Sequence, residues 1–546
     1  NKTTYYKLII YIDGNMENPI SMQNGSITGN IEVCSKEKFN VTLNVTNGTS
    51  NNNTLKVVSG DNAIFNITPN NGYTLDIESQ TCEGILNSNT GIYTINNITE
   101  NKECSLTLKL GNLDKSGANS PDLVDGLIPA MYNGSKWVKA DSSNSNETYK
   151  WYDYDNKLWA NAVLVTSTNR NTYMAAIPGR EIAESDILAY YVWIPRYKYK
   201  VWNINKVMGT DTYNAQTTGV DIVFENEKES TGTISCTYSY AAPSANAGSP
   251  NETCTGSNGD YYTHPAFTFG SDNVRGFWMG KFELTGSSSE LTILPSVYAL
   301  RNMFLSAYNT SVQNMQKADN IYGLNTSRLN TDSHIITNME WGAAAYLTHS
   351  KYGRCTNGSC TTVSINNCSY CKTGVGARNG NESNSTTTCT SSANQYNETI
   401  GILASTTSNI TGIYDMSGGC YEYVMGNVSN TYDSYVFSGG GSAFSNDWYN
   451  DNNLKYLTPY AYAHDYEGQT AYNRSRLGDA TGEVILNASA TWYVQEATFA
   501  YSSKPWFGRS GNCEDSTHAG IFSFNNILYG MSAGLYTSRA VLVSLK

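Results

Sequence analysis

The stretch GIYDMSGGCYEYVMG, residues 412–426, constrains the fold more than any other part of the chain. The adjacent glycines Gly418 and Gly419 permit a turn that residues bearing a Cβ resist. After them Tyr421 and Tyr423 fall on one side of the chain and Glu422 on the other, the spacing of a half-buried strand. Segments of similar character lie on both sides, so the turn and strand read as the centre of one domain.

At 546 residues the chain is long enough for roughly three or four domains with sizeable cores. Only 15% of residues are charged, the net charge is −12 and the pI is about 5.0. A nucleic-acid surface needs clustered Lys and Arg, so that class is excluded. No run approaches the roughly 18 apolar residues of a membrane span. The chain begins at Asn1, and removal of a leader is the expectation. It carries 22 Asn-x-Ser/Thr sequons, more than the roughly a dozen that its composition would give, and 41 tyrosines. An amide-, hydroxyl- and tyrosine-rich surface poor in lysine suits an exported protein.

Twelve cysteines point the same way. The tightest group is Cys355-x4-Cys360-x7-Cys368-x2-Cys371-x17-Cys389, in a Ser/Thr/Asn/Gly-rich loop at 355–389. Zinc thiolate sites use C-x2-4-C pairs, but a second regular C-x2-C and a nearby His are missing, so disulfides are the expectation. Five is odd, which requires a partner outside the loop, Cys420 or Cys513. Cys82 and Cys104 form a reachable pair, Cys236 and Cys254 complete the expected disulfide set, and Cys34 is left over.

Residues 1–33 open with a strand that is apolar on both faces: Tyr6, Leu8, Ile10 and Ile12 on one, Tyr5, Ile9 and Tyr11 on the other. A free strand of this kind aggregates unless covered. Either it docks within its own chain, or it is donated to a neighbouring copy and builds a filament. Residues 34–110 form an all-β module: Phe39, Val41, Leu43 and Val45 alternate with polar residues, as do Ala63, Phe65 and Ile67, then Tyr73, Leu75 and Ile77. Asn-Gly at 47–48 and 71–72 marks turns, and Cys104 points inward with Leu106 and Leu108. The module resembles the small β-repeat spacers of bacterial surface proteins. Residues 111–186, with Trp137, Trp151, Tyr152, Tyr154 and Trp159, read as an aromatic-rich β connector.

From residue 187 to 546 the motifs resemble, in order, those of the formylglycine-generating enzyme family, a variant of the C-type lectin fold. The segments are YVWIPRYKYK at 191–200, GFWMGKFELTG at 276–286, a helix NMEWGAAAYL at 338–347 after another at about 296–316, the 412–426 stretch itself, SGGGS at 438–442 and LYTSRAVLV at 535–543. Tyr421-Glu422-Tyr423 stands where the family has Trp-Glu-Trp. The resemblance implies an α+β, C-type lectin-like C-terminal domain behind all-β domains.

It does not imply the family's chemistry. Active members hold copper on two closely spaced cysteines just before the closing strand; WFGRSGNC at 506–513 offers only Cys513. Related iron-dependent enzymes need a His-rich site, and His264, His334, His349, His464 and His518 lack ligand spacing, although His264 and His464 could meet in space. No catalytic residue and no resident metal are expected. The closing region 505–525 resembles the ligand-binding segments of lectin-fold surface and phage receptor-binding proteins. Trp506, Phe507, Arg509 and Asn512, with Trp448, Tyr449, Tyr460, Tyr462 and Asp465, make the expected binding surface, since rigid amphipathic rings with adaptable amides suit recognition. Asp447, Asp451 and Asp465 could supply oxygen ligands to calcium.

The reading is a non-enzymatic extracellular protein on a prokaryotic cell surface. It would be the subunit of a filament or pilus that joins copies of itself through the N-terminal strand and presents a lectin-like domain to an unknown glycan or protein. A free-standing adhesin and a secreted oxidoreductase of the formylglycine-generating type are the alternatives.

Overall fold

The computed structural model describes residues 37–545, apart from 71–72, 89, 239–251, 326–329, 378–393, 429–440, 462–470, 502 and 527–528. Tyr6, Leu8, Ile10, Ile12, Cys34, Cys389, Tyr462, His464 and Asp465 lie outside the described residues. The chain forms two compact units, 1–110 and 111–546.

In the first unit alternation dictates the architecture. The strand Lys38–Thr46 buries Val41 and Leu43 and exposes Asn40 and Asn44; Ala63–Pro69 buries Ala63, Phe65 and Ile67. Two four-stranded sheets result. One pairs Lys38–Thr46 with Thr54–Val58 and, in parallel, with Lys102–Leu110; the other is built on Ala63–Pro69 and Ile92–Ile95. Both contribute to one core that includes Val41, Leu43, Phe65, Tyr93, Leu106 and Leu108. Asn47 takes the left-handed conformation that the Asn-Gly turn needs, with φ of 66°. Cys104 reaches Cys82.

The second unit is built differently. A seven-stranded antiparallel sheet runs Trp137–Lys139, Ile128–Tyr132, Asn161–Val165, Ile187–Pro195, Gly276–Gly280, Ala540–Ser544, Thr331–Ile335. Three of these strands come from 111–186, so this segment is part of the large unit's sheet rather than a connector. Its aromatics are core: the Trp151 ring stacks 6.2 Å from Trp278, Trp137 Nε1 donates to Tyr396 and Trp159 Nε1 to the Tyr352 carbonyl. A second sheet centres on Tyr421–Val428, flanked by Thr458–Tyr460, Trp506–Ser510 and Tyr536–Ser538, with Gly520–Asn525 beyond.

The turn before Tyr421 forms as its glycines predict. Gly418 and Gly419 have φ of 78° and 77°. A Cβ on Gly418 would lie 2.4 Å from the Asn366 carbonyl oxygen, and one on Gly419 2.5 Å from Glu283 Oε1. Tyr421–Val428 is buried on both faces, not half-buried. Glu422 therefore needs a partner, and finds it in Arg539 through two hydrogen bonds, one of 2.8 Å from Nε to Oε2. Arg539 also donates to the carbonyls of Gly280 and Tyr414, so one buried ion pair ties the two sheets together. Burial raises the Glu422 carboxyl to about 7 against the opposing pull of Arg539, and Asp415 adds to the rise.

Two helices pack on these sheets. The expected first helix is shorter than 296–316, spanning Leu305–Asn314. The second, Asn338–Thr348, is buried along its whole length and starts with a reciprocal cap: Glu340 N–H donates to Thr337 Oγ1, and Glu340 accepts from the Thr337 N–H. A Cβ on its Gly342 would sit 1.9 Å from the Gly478 carbonyl oxygen.

Candidate functional site

Helix Asn338–Thr348 delivers its capped N-terminus to a cavity of about 910 Å³. Strand Tyr261–Thr263, the loop through Asp272, the segment 451–459 and Arg476 complete the walls. The exposed lining is mostly polar, with Ser230, Ser235, Thr268, Ser271, Asp272, Asp451 and Asn452, and includes the exposed Leu545.

One wall is held by a buried charge relay. Glu340, already the helix cap, accepts from His334 Nε2 at 3.0 Å, and His334 Nδ1 meets Asp332 at 2.9 Å. Asp332 also accepts from Tyr456 at 2.7 Å. Burial alone would depress the His334 pKa, but Glu340 and Asp332 outweigh it and hold the ring up at about 9, so it is an imidazolium at neutral pH. Buried Phe269 stacks on that ring at 5.1 Å, and Lys455 lies 4.8 Å over Phe269 and lines the cavity.

The opposite wall is His264 and Arg476. His264 Nε2 donates to the Gly478 carbonyl at 2.8 Å while Nδ1 accepts the Ala266 N–H, and burial lowers its pKa to about 3. Behind it Glu483 accepts from Tyr199, Tyr346 and Gly478, and burial raises it to about 8. Arg476 is anchored at 3.5 Å by Glu252, which also binds Lys206 at 2.9 Å. Both imidazoles are thus fully engaged: His264, which lines the cavity, is neutral and bonded at each nitrogen, and His334, behind Glu340, is clamped between carboxylates.

The closing segment turns out otherwise than expected. Trp506, Phe507 and Arg509 are fully buried, because Trp506–Ser510 enters the second sheet between two strands with both faces covered. Arg509 donates to Asn338 at 3.0 Å and to the carbonyls of Asp479, Ala480 and Ile521. Tyr460 is buried against Phe507 at 5.0 Å and donates to Asp479. Asn512 is buried too, its N–H donating to Asp515. Trp448 and Tyr449 are half-buried, Trp448 against Phe444 at 4.9 Å. These residues form core rather than a presenting face. Asp447 and Asp451 are exposed, and only Asp451 lines the cavity.

Among the described residues Cys82–Cys104, Cys236–Cys254, Cys355–Cys360 and Cys371–Cys420 are disulfides, and Cys368 is disulfide-bonded as well. Cys420 is the outside partner that the odd loop required. Cys513, expected to be bridged, is a free buried thiol; burial raises its pKa to about 11, so it stays protonated. Among the described residues two groups of donor atoms are close enough to hold a metal ion: His349 with Cys355 and Cys360, and Glu252 with Cys236 and Cys254. Neither contains Asp447 or Asp451.

Sequence reasoning passed over the cavity. A local signal that could have found one wall is the Thr337-x-x-Glu340 capping-box pattern, which places Glu340 but not His334. The walls otherwise come from separate segments spread between Ser230 and Leu545. No helix among the described residues is long and apolar enough to cross a membrane. No protein-family model matches the chain, and no curated protein matches it.

Proposed function

We propose that this is a non-enzymatic, extracellular binding protein of a prokaryotic cell surface, in which the 38–110 sandwich serves as a spacer and the larger unit, a C-type lectin-like scaffold, recognises a glycan in the 910 Å³ cavity. The observation that carries the reading is the lining. Hydroxyls, two exposed carboxylates and the Asn452 amide line it, and the hydroxyls of a saccharide match those donors and acceptors. The engaged state of His264 and His334, together with the protonated Cys513, supports binding over reaction, since none offers a free base or nucleophile. Four disulfides fit an oxidising, extracellular setting. The Glu422–Arg539 pair, which joins the 412–426 and 535–543 motifs, supports the lectin-like scaffold. Filament assembly through residues 2–12 belongs to the proposal on sequence grounds alone.

A glycan array probed with the full chain, followed by calorimetry on the best soluble oligosaccharide, tests it. Binding should fall at least tenfold in Asp451→Ala and Asn452→Ala, both exposed and free of structural duty in the core. An array without hits, or hits that neither substitution weakens, overturns the assignment.

A further inference from the structure

His349, Cys355 and Cys360 form a cluster that the binding function does not use. His349 is the C-terminal cap of helix Asn338–Thr348, and its Nε2 lies 3.1 Å and 2.9 Å from the carbonyl oxygens of Ala215 and Gln216. A nitrogen facing two carbonyls carries the proton, which leaves Nδ1 with the lone pair. Imidazoles that bind metals are oriented in this way, by donating the remote N–H to a backbone carbonyl.

Cys355 and Cys360 stand directly opposite each other on a short antiparallel ribbon. One donor atom from each of the three residues lies within 4.8 Å of the others. Thiolates around a tetrahedral zinc at about 2.3 Å sit about 3.8 Å apart, so modest side-chain movement closes the site. Gly219 keeps the space open, because a Cβ there would lie 2.8 Å from Cys355 Sγ. Cys355 is buried and Cys360 partly exposed, which gives a reductant access to one sulfur.

We infer that reduction of the Cys355–Cys360 disulfide creates a site for a soft or borderline d10 cation, zinc or cuprous copper, held by the two sulfurs and the His349 imidazole. A dithiol supplies the two electrons and is itself oxidised to a disulfide; the two thiols formed each release a proton when the cation binds. The second cluster is less suited. Glu252 is already committed to Lys206, Arg476 and the Leu477 N–H, and a metal there would have to break those contacts.

The test uses the full chain, reduced with a phosphine, desalted without oxygen and titrated with cobalt(II) as a spectroscopic probe. One equivalent should give a sulfur-to-cobalt charge-transfer band that zinc displaces. The band should be absent from the oxidised protein and from Cys355→Ser/Cys360→Ser, retained in Cys236→Ser/Cys254→Ser, and weakened at least tenfold in affinity by His349→Ala. Competition against a chromophoric copper(I) chelator decides between the two cations. Iodoacetamide labelling of the reduced wild-type chain makes the outcome independent of how the variants fold: zinc should protect Cys355 and Cys360. Equal labelling with and without zinc, or a band that survives in the Cys355→Ser/Cys360→Ser variant, overturns the inference.

Discussion

The small sandwich and the large unit handle their strands in opposite ways. In the sandwich, Ala63–Pro69 alternates buried and exposed residues, and the described carboxylates, Glu37, Asp61, Asp76, Glu78, Glu83, Glu100 and Glu103, are all exposed. In the large unit Tyr421–Val428, Trp506–Ser510 and Ala540–Ser544 are buried on both faces, and charge goes inside with them: Glu422, Arg509 and Arg539 are fully buried. A sheet with one wet face needs only an alternating sequence. A sheet covered on both sides must provide a partner for each charge it encloses, so its stability rests on a few pairs.

Breaking such a pair should have the largest effect. Arg539→Ala leaves the Glu422 carboxyl buried without its cation, and the loss should be about 3–5 kcal/mol. In urea followed by tryptophan fluorescence the transition should move to lower denaturant. All ten tryptophans lie in the large unit, so the probe reports that unit alone. An unchanged midpoint would mean that the pair does not hold the two sheets together.

The sandwich should yield less to any single change. Removing Cys82–Cys104, which closes a sequence separation of 22, should cost about 2–4 kcal/mol. Far-ultraviolet dichroism of Cys82→Ser/Cys104→Ser should show an earlier loss of β signal, while the tryptophan transition of the large unit stays in place. Coincident movement of both signals would show that the units unfold together.

The same contrast explains what could be read from the sequence. Val41, Leu43, Phe65 and Ile67 were placed inward correctly because their polar neighbours mark the wet face. In the closing segment no such marker exists. Trp506, Phe507 and Arg509 are a suitable set for a binding face and equally for a doubly covered strand, and only the flanking strands decide between the two. The strand at 276–286 and the helix at 338–347 followed from the motif resemblance, and the turn in 412–426 from its adjacent glycines, because such patterns are local. The cavity was invisible because Phe269, Glu340 and Lys455 meet only through tertiary structure. His349 lies six residues before Cys355, but the two meet only because His349 caps helix Asn338–Thr348 and the chain folds back after it, which no spacing rule encodes.

Alkaline pH should separate the units without mutation. His334 is held at about 9 against an ordinary value near 6.5, so its contribution to stability is fully present below 6.5 and is lost as pH rises through 9. Glu483, Glu422 and Glu496 act in the same direction: burial raises them to about 8, 7 and 7, so the folded state binds more protons than the unfolded one until pH passes those values. Tm of the large unit should therefore fall steadily from pH 7 to 9.5, whereas the described residues of the sandwich include no histidine and no buried carboxylate. In Glu340→Gln the imidazolium loses a partner, and the His334 part of the fall should shift to lower pH. On the acid side His264 and His349, held neutral down to about 3 and 4, should cost stability as pH drops below 6.5, because only the unfolded chain takes up those protons.

The smallest effect should come from the wet face of the sandwich. Asn44 is exposed between Leu43, which is in the core, and half-buried Val45, so Asn44→Ala should change stability by no more than about 0.5 kcal/mol. The strand Tyr421–Val428 has no equivalent position, since each of its eight residues is buried. An alanine scan along both strands, read by urea midpoints, should give an alternating profile for Lys38–Thr46 and a continuous one for Tyr421–Val428. If Asn44→Ala proved as costly as a core substitution, that face would be covered as well. The sandwich would then be an interface, and its alternation would reflect pairing with another surface rather than exposure to water.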